Sequence, residues 1–259
     1  MIKLRDVTRR LQGAGLLVPE VLSLGRSGSD EIGFLRVGKA HVLDTWRQIR
    51  EAFGVTGLWP FVIASADANA ILLREERVIA HSPDETLRHA VAFPIESWFA
   101  GRRRALVSDF DPQAGAWTAE AKSVPRGPLL PVTEDAKGDT CVALVPVCKP
   151  WQTFAFLPIA STPNYCDELD PVVHTAIWKY WDERWGVEPF YGAYNVVELV
   201  PRSWPRSREQ LLALAWEHYS YCPDVLNEAI LSHEDRSTWH LEDLAFWLGE
   251  TRAWGFWWD

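Results

Sequence analysis

Little in this chain of 259 residues points to a known chemistry, and the gaps are informative. There are four cysteines, Cys141, Cys148, Cys166 and Cys222, too few and too scattered for a disulfide framework, and no two stand at the two-residue spacing of a zinc knuckle or redox pair. If Cys141 and Cys148 end one strand, their odd separation turns them to opposite faces, and both are expected in the core. No run of about twenty apolar residues exists to span a bilayer. Arg9 and Arg10 precede Leu16, Leu17 and Val18 in the manner of a twin-arginine export signal. Pro19 and Glu20 interrupt that stretch at once and no small-residue cleavage site follows, so a cytoplasmic protein is expected. A basic excess is missing too. The net charge is -9 and the pI about 5.3, which argues against nucleic acid or an anionic membrane as partner and suits a basic protein partner. Acidic balance is equally the ordinary means of staying soluble. There is no phosphate-cradling glycine loop and no nucleophile elbow, although Gly25, Arg26, Ser27 and Gly28 come near one. No motif calls for a metal or a cofactor.

Apolar residues make up 47% of the chain, enough for a substantial core in one large domain or two ordinary ones. Up to about residue 110, strand and helix patterns alternate. Ile32 to Val37 and Leu58 to Ala64 read as strands, while Val42, Trp46, Ile49 and Phe53 recur at helical spacing until Gly54. A further helix runs from Asp84 through Thr86 to Ala92 and breaks at Pro94. From Asp111 to Asp139, four prolines and three glycines leave no apolar period. That stretch reads either as a linker or as a pair of strands on a hairpin.

The remainder is more regular. Val142 to Val147 reads as a strand. Asp170 before Pro171 is a capping side chain followed by a proline that loses nothing at the first helical position. The helix it starts carries Val173, Ile177, Trp181 and Trp185 on one face and ends at Gly186. Val187 to Tyr191 and Val196 to Val200 are strands, the second closed by Pro201. Ser207 with Gln210 forms a capping box for a helix whose expected buried stripe is Leu211, Leu212, Ala215 and Tyr219. A last helix presents Leu241, Leu244, Ala245 and Leu248 before Gly249, and the chain ends Trp254, Phe256, Trp257, Trp258, Asp259. The expected fold is α+β: small mixed sheets flanked by helices, in two parts that share one sheet or stand separately, residues 1 to 110 and 141 to 259, joined by 111 to 140.

Several features of the second part occur together: Asn164 and Cys166, Trp178 to Gly186, the Pro201 to Pro205 turn, Tyr221 to Asp224, and Phe256 to Asp259. In that order and spacing, residues 141 to 259 resemble an uncharacterised bacterial family, domain of unknown function 4253. Trp46 and the Thr56 to Pro60 segment resemble the upstream stretch of such proteins. One departure stands out: where the family has Gln and Gly after its Cys and Asp, this chain has Asn227, Glu228 and Ala229. The resemblance implies boundaries and no activity. By analogy with small standalone bacterial proteins that act as toxin antidotes, it suits an immunity or regulatory role.

Eleven of the fifteen tryptophans lie at or after Trp151, so an aromatic core or an aromatic binding surface is expected there. Trp257 and Trp258 are adjacent and, in a strand, face opposite ways, which leaves one of them for a ligand, a partner or a covering helix. Asp224 reads as a helix cap or as a carboxylate in a site. His218 and Cys222 are four apart on one helical face and, with Cys166, could offer zinc three ligands, although zinc sites usually show closer pairs. Arg102, Arg103 and Arg104 read as a solvated loop or an anion contact, and His233 to Arg236 as a loop. The candidate binding residues are therefore Trp185, His218, Cys222, Asp224, Trp257, Trp258 and Asp259. The leading expectation is a non-catalytic binding module for a protein partner. The alternatives are an enzyme with His218, Asp224 and Asp259 around an aromatic cleft, and a receptor for a small molecule or carbohydrate that stacks on tryptophan.

Overall fold

The structure, a computed structural model, describes residues 4–16, 21–27, 30–64, 81–107, 140–157, 169–193, 196–226 and 240–258. Seven strands form one sheet: β1 (Val21–Ser27), β2 (Asp30–Val37), β3 (Leu58–Ala64), β4 (Thr140–Pro146), β5 (Glu188–Gly192), β6 (Val196–Val200) and β7 (Trp254–Trp257). Their spatial order is β1-β2-β4-β3-β5-β6-β7, antiparallel throughout except where β3 meets β5. The fold is α+β, and the two parts share this sheet. β4, from the start of the second part, lies between β2 and β3 of the first. It is buried from Thr140 to Val145, as a run apolar on both faces requires.

Prolines interrupt the ladder at two points, and tryptophans complete it. Pro60 in β3 lies before the short parallel pairing of Val62 with Tyr191, and Pro189 in β5 lies at a register shift. The Pro60 carbonyl accepts the Trp46 indole N–H at 3.0 Å, and the Pro189 carbonyl accepts that of Trp59 at 2.9 Å. A buried carbonyl left unpaired would cost about 1–3 kcal/mol, so each indole serves as filler and as donor. The helix α2 (Val42–Glu51) brings Trp46 edge-on to Phe190 and Trp59, and the short α3 (Phe53–Thr56) adds Phe53 against Trp59. The amino-terminal α1 (Leu4–Gly13), not anticipated from the sequence, buries Val7 and Leu11 and sends Arg10 to the Thr56 carbonyl.

The other helices are α4 (Pro83–Ala92), α5 (Ile95–Val107), α6 (Thr153–Phe156), α7 (Pro171–Trp185), α8 (Arg208–Tyr221) and α9 (Leu241–Glu250). α7 starts as its sequence requires: the Asp170 side chain accepts from the Val173 N–H at 2.9 Å with Pro171 inside the first turn. It stops at Gly186, whose φ of 62° is open to glycine, and a Cβ there would press on the Arg202 side chain. Val172 to Trp178 are all buried, so α7 is a central helix rather than an amphipathic one.

Three expectations need correction. Arg102, Arg103 and Arg104 lie on α5, not in a loop; Pro94 ends one helix and the next begins beside it, anchored by buried Phe99. In α8 the buried residues are Leu214, Ala215, Trp216, His218, Ser220 and Tyr221, while Leu211, Leu212 and Tyr219 are half-buried. The capping box at Ser207 forms as expected, but the covered arc includes His218, which a hydrophobic count leaves out. Cys141 is in the core, whereas Cys148 follows the end of β4 and is exposed. The 111–139 segment, His233 to Arg236, and Asn227 to Ala229 lie outside the described residues, as do Asn164, Cys166 and Asp259.

Candidate functional site around the terminal aromatic strand

β7 is an edge strand that alternates buried and half-buried: Trp254 and Phe256 point inward, Gly255 and Trp257 do not. Against its inner face pack α7 and α8. Trp181 stacks on Phe256 with ring centroids 5.5 Å apart and meets Trp254 edge-on at 5.7 Å. His218 lies 4.7 Å from Trp254, 4.8 Å from Phe256 and 4.8 Å from Trp181. His218 is thus a packing member of one aromatic core with Trp181, Trp254 and Phe256.

Two hydrogen bonds fasten the end of α8 to the end of the chain. The Cys222 thiol donates to the Trp257 carbonyl at 2.8 Å, and the Trp258 indole donates to the Tyr221 carbonyl at 3.4 Å. Neighbouring residues of one segment thereby grip neighbouring residues of the other. Trp258 is buried and Trp257 half-buried, so the pair does divide between core and surface. Beneath this clamp, the Tyr221 hydroxyl accepts from Trp178 Nε1 at 3.3 Å and is joined to His174 Nδ1 at 2.7 Å. His174 is also stacked on Phe154 of α6 at 4.3 Å.

Burial decides the electrostatics. It holds His174 down to a pKa of about 3 and His218 well below the ordinary imidazole value, so both rings are neutral. It pushes the Cys222 thiol well above its ordinary value, with the Asp224 carboxylate adding to the effect, and a thiol so held is a poor nucleophile. Glu217 sits between α7 and α8, accepting from the Tyr180 hydroxyl at 2.9 Å and from Trp181 Nε1 at 2.8 Å. Burial raises its pKa against the pull of those two donors.

Of the expected site residues, His218, Cys222, Trp257 and Trp258 meet around β7. Asp224 stands close by, in a short 3₁₀ helix over Pro223–Leu226, and the segment it was expected to cap lies outside the described residues. Trp185 is not part of this group. It ends α7 about three turns from His174, and its carbonyl accepts the backbone N–H groups of Arg202 and Ser203. His218 faces aromatic rings and Cys222 faces a carbonyl. Among the described residues no group of three or more His, Cys, Asp or Glu is placed to hold a metal ion.

Residues 141–259 match the family model described as domain of unknown function (DUF4253). This span is a DUF4253 domain. Comparison with curated proteins and with solved structures finds no match. The segments that carried the resemblance, Tyr221 to Asp224 and the terminal Phe256 to Trp258, are the ones the clamp brings together in the DUF4253 domain. Sequence reasoning missed His174, Glu217 and Glu198. For Glu198 a signal existed: one acid inside the otherwise apolar strand Val196–Val200.

Proposed function

We propose that this chain is a non-catalytic binding module of the cytoplasm, of the immunity or regulatory kind, which engages a protein partner through the outer side of β7. The observation that carries the reading is the position of Trp257. Trp257 is partly exposed on an edge strand while its carbonyl and its neighbour Trp258 are held in the buried clamp. A rigid aromatic at the rim of a core costs little entropy to bury and is a favoured anchor at interfaces. The net charge of -9 suits a basic partner and adds long-range steering toward it. The groups that an enzyme would draw on have other employment: Cys222 is a protonated donor, and His174 and His218 are neutral and enclosed. No helix among the described residues is long and apolar enough to cross a membrane.

The test is co-purification from the native host with the tag at Met1, wild type beside Trp257→Ala. A stoichiometric basic protein recovered by the wild type and lost from the variant supports the reading. Recovery of the same proteins by both sinks it.

A further inference from the structure

We propose that Glu198, together with Tyr191 and Trp257, forms a binding site for an ammonium group at the β6–β7 edge of the sheet, on the face turned away from the histidine core. Register places these residues. Glu198 is paired with Tyr191 on β5 and with Gly255 on β7, and directly opposed residues project to the same face. Trp257 is two residues beyond Gly255 and shares that face, whereas Trp254 and Phe256 take the other.

Glu198 is fully buried, and both carboxyl oxygens lack a hydrogen-bond partner. Such a group costs several kcal/mol unless something satisfies it, which makes it an uncommon feature of a settled core. Gly255 contributes no side chain on the edge-strand side of the carboxyl. It and Trp257 are only partly buried, which marks the approach from solvent. The residues present select the class of ligand. A hard metal ion wants six or more oxygen ligands, and the described residues hold no such cluster. An ammonium group needs one carboxylate and is stabilised by aromatic neighbours, which Tyr191 and Trp257 are. Burial raises the Glu198 pKa to about 8, so the empty site holds a proton that an arriving cation replaces.

The ammonium group belongs either to a free small amine or to a lysine of a protein. The experiment uses the full chain at about pH 9, where the carboxyl is ionised without help. Melting temperature and tryptophan fluorescence are followed against methylammonium chloride and against Nα-acetyl-lysine amide, each compared with sodium chloride at equal ionic strength. A rise of about 3 °C or more over the sodium control is expected. It should vanish in Glu198→Gln, which keeps the shape and removes the charge, and shrink in Trp257→Leu. Response to methylammonium identifies a small-amine site; response to the lysine derivative alone identifies a lysine of a partner. No difference from sodium in the wild type, or an undiminished response in Glu198→Gln, overturns the proposal. Either result leaves the co-purification outcome as it stands, because that experiment reads Trp257 without reference to Glu198.

Discussion

Arg50 grips Glu188 with both prongs of its guanidinium, Nε at 2.6 Å and Nη2 at 3.0 Å, across 138 positions of sequence. The pair ties α2 to β5, and so the first part of the chain to the DUF4253 domain. Arg50 also lies 5.6 Å over the Trp46 ring, while Arg202 approaches Glu188 at 3.6 Å from the other side. Glu188 is buried, so removing its main partner leaves a carboxylate poorly compensated. Arg50→Ala is expected to cost about 2 kcal/mol, less than for a fully enclosed pair because Arg50 is a third exposed and Arg202 remains. Urea unfolding measures it. The double variant Arg50→Met with Glu188→Gln should recover much of the loss, and an unchanged midpoint in Arg50→Ala would refute the assignment.

Stability should fall on both sides of a mildly acidic optimum. His174 titrates near 3 in the folded chain and near 6.5 when unfolded, and His218 is lowered in the same sense. The unfolded state therefore binds more protons as pH drops below about 6.5, and each histidine removes on the order of 1.4 kcal/mol per unit until its folded value is reached. Glu198 acts oppositely. Its folded value of about 8 exceeds the unfolded 4.5, so its contribution is complete below 4.5 and is lost as pH rises to 8. Asp182 and Glu217 are raised too and add in that direction. Between about pH 6.5 and 8 the carboxyls act alone, and Glu198→Gln should flatten much of that slope in chemical unfolding curves. An equal slope in the variant would show that Glu198 is ionised in the folded protein.

How much of this was legible in advance follows from what a pattern can encode. The start and stop of α7 were readable because Asp170, Pro171 and Gly186 act within one turn of themselves. The strands Leu58–Ala64 and Val196–Val200 were readable as short apolar runs. The place of β4 between β2 and β3 was not, since no local rule says which strands of a chain become neighbours. The site divides in the same way. The Cys222 and Trp257 segments could be named as distinctive, but the thiol's contact with a carbonyl 35 positions away is tertiary information. His174 was overlooked because it sits one residue off the face that the apolar spacing selects, and only the surrounding helices show that this face is buried as well.

Thiol reactivity separates a structural cysteine from a nucleophile. Cys148 is exposed, whereas Cys141 and Cys222 are enclosed, and Cys222 is further held as a donor to Trp257. Brief alkylation of the folded chain at neutral pH, followed by peptide mass spectrometry, should label Cys148 at least about tenfold faster than Cys222. Comparable rates at the two would mean that Cys222 is open and ionisable, and the enzymatic alternative would regain its nucleophile.

The two terminal tryptophans should part company on substitution. Trp258 is 3% exposed, donates to the Tyr221 carbonyl and packs on His174 and Tyr221, so Trp258→Ala opens a cavity and removes that hydrogen bond. A loss of about 3–5 kcal/mol is expected, enough to unfold many domains of this size. Trp257 keeps its backbone role in any variant, because the group that Cys222 contacts is a carbonyl, and the residue is only partly buried. Trp257→Ala should therefore cost about 1 kcal/mol or less in thermal or urea unfolding, while it removes the anchor on which partner binding is proposed to rest. If Trp257→Ala proves as destabilising as Trp258→Ala, its ring belongs to the core, and the outer side of β7 loses the feature that marks it as a binding surface.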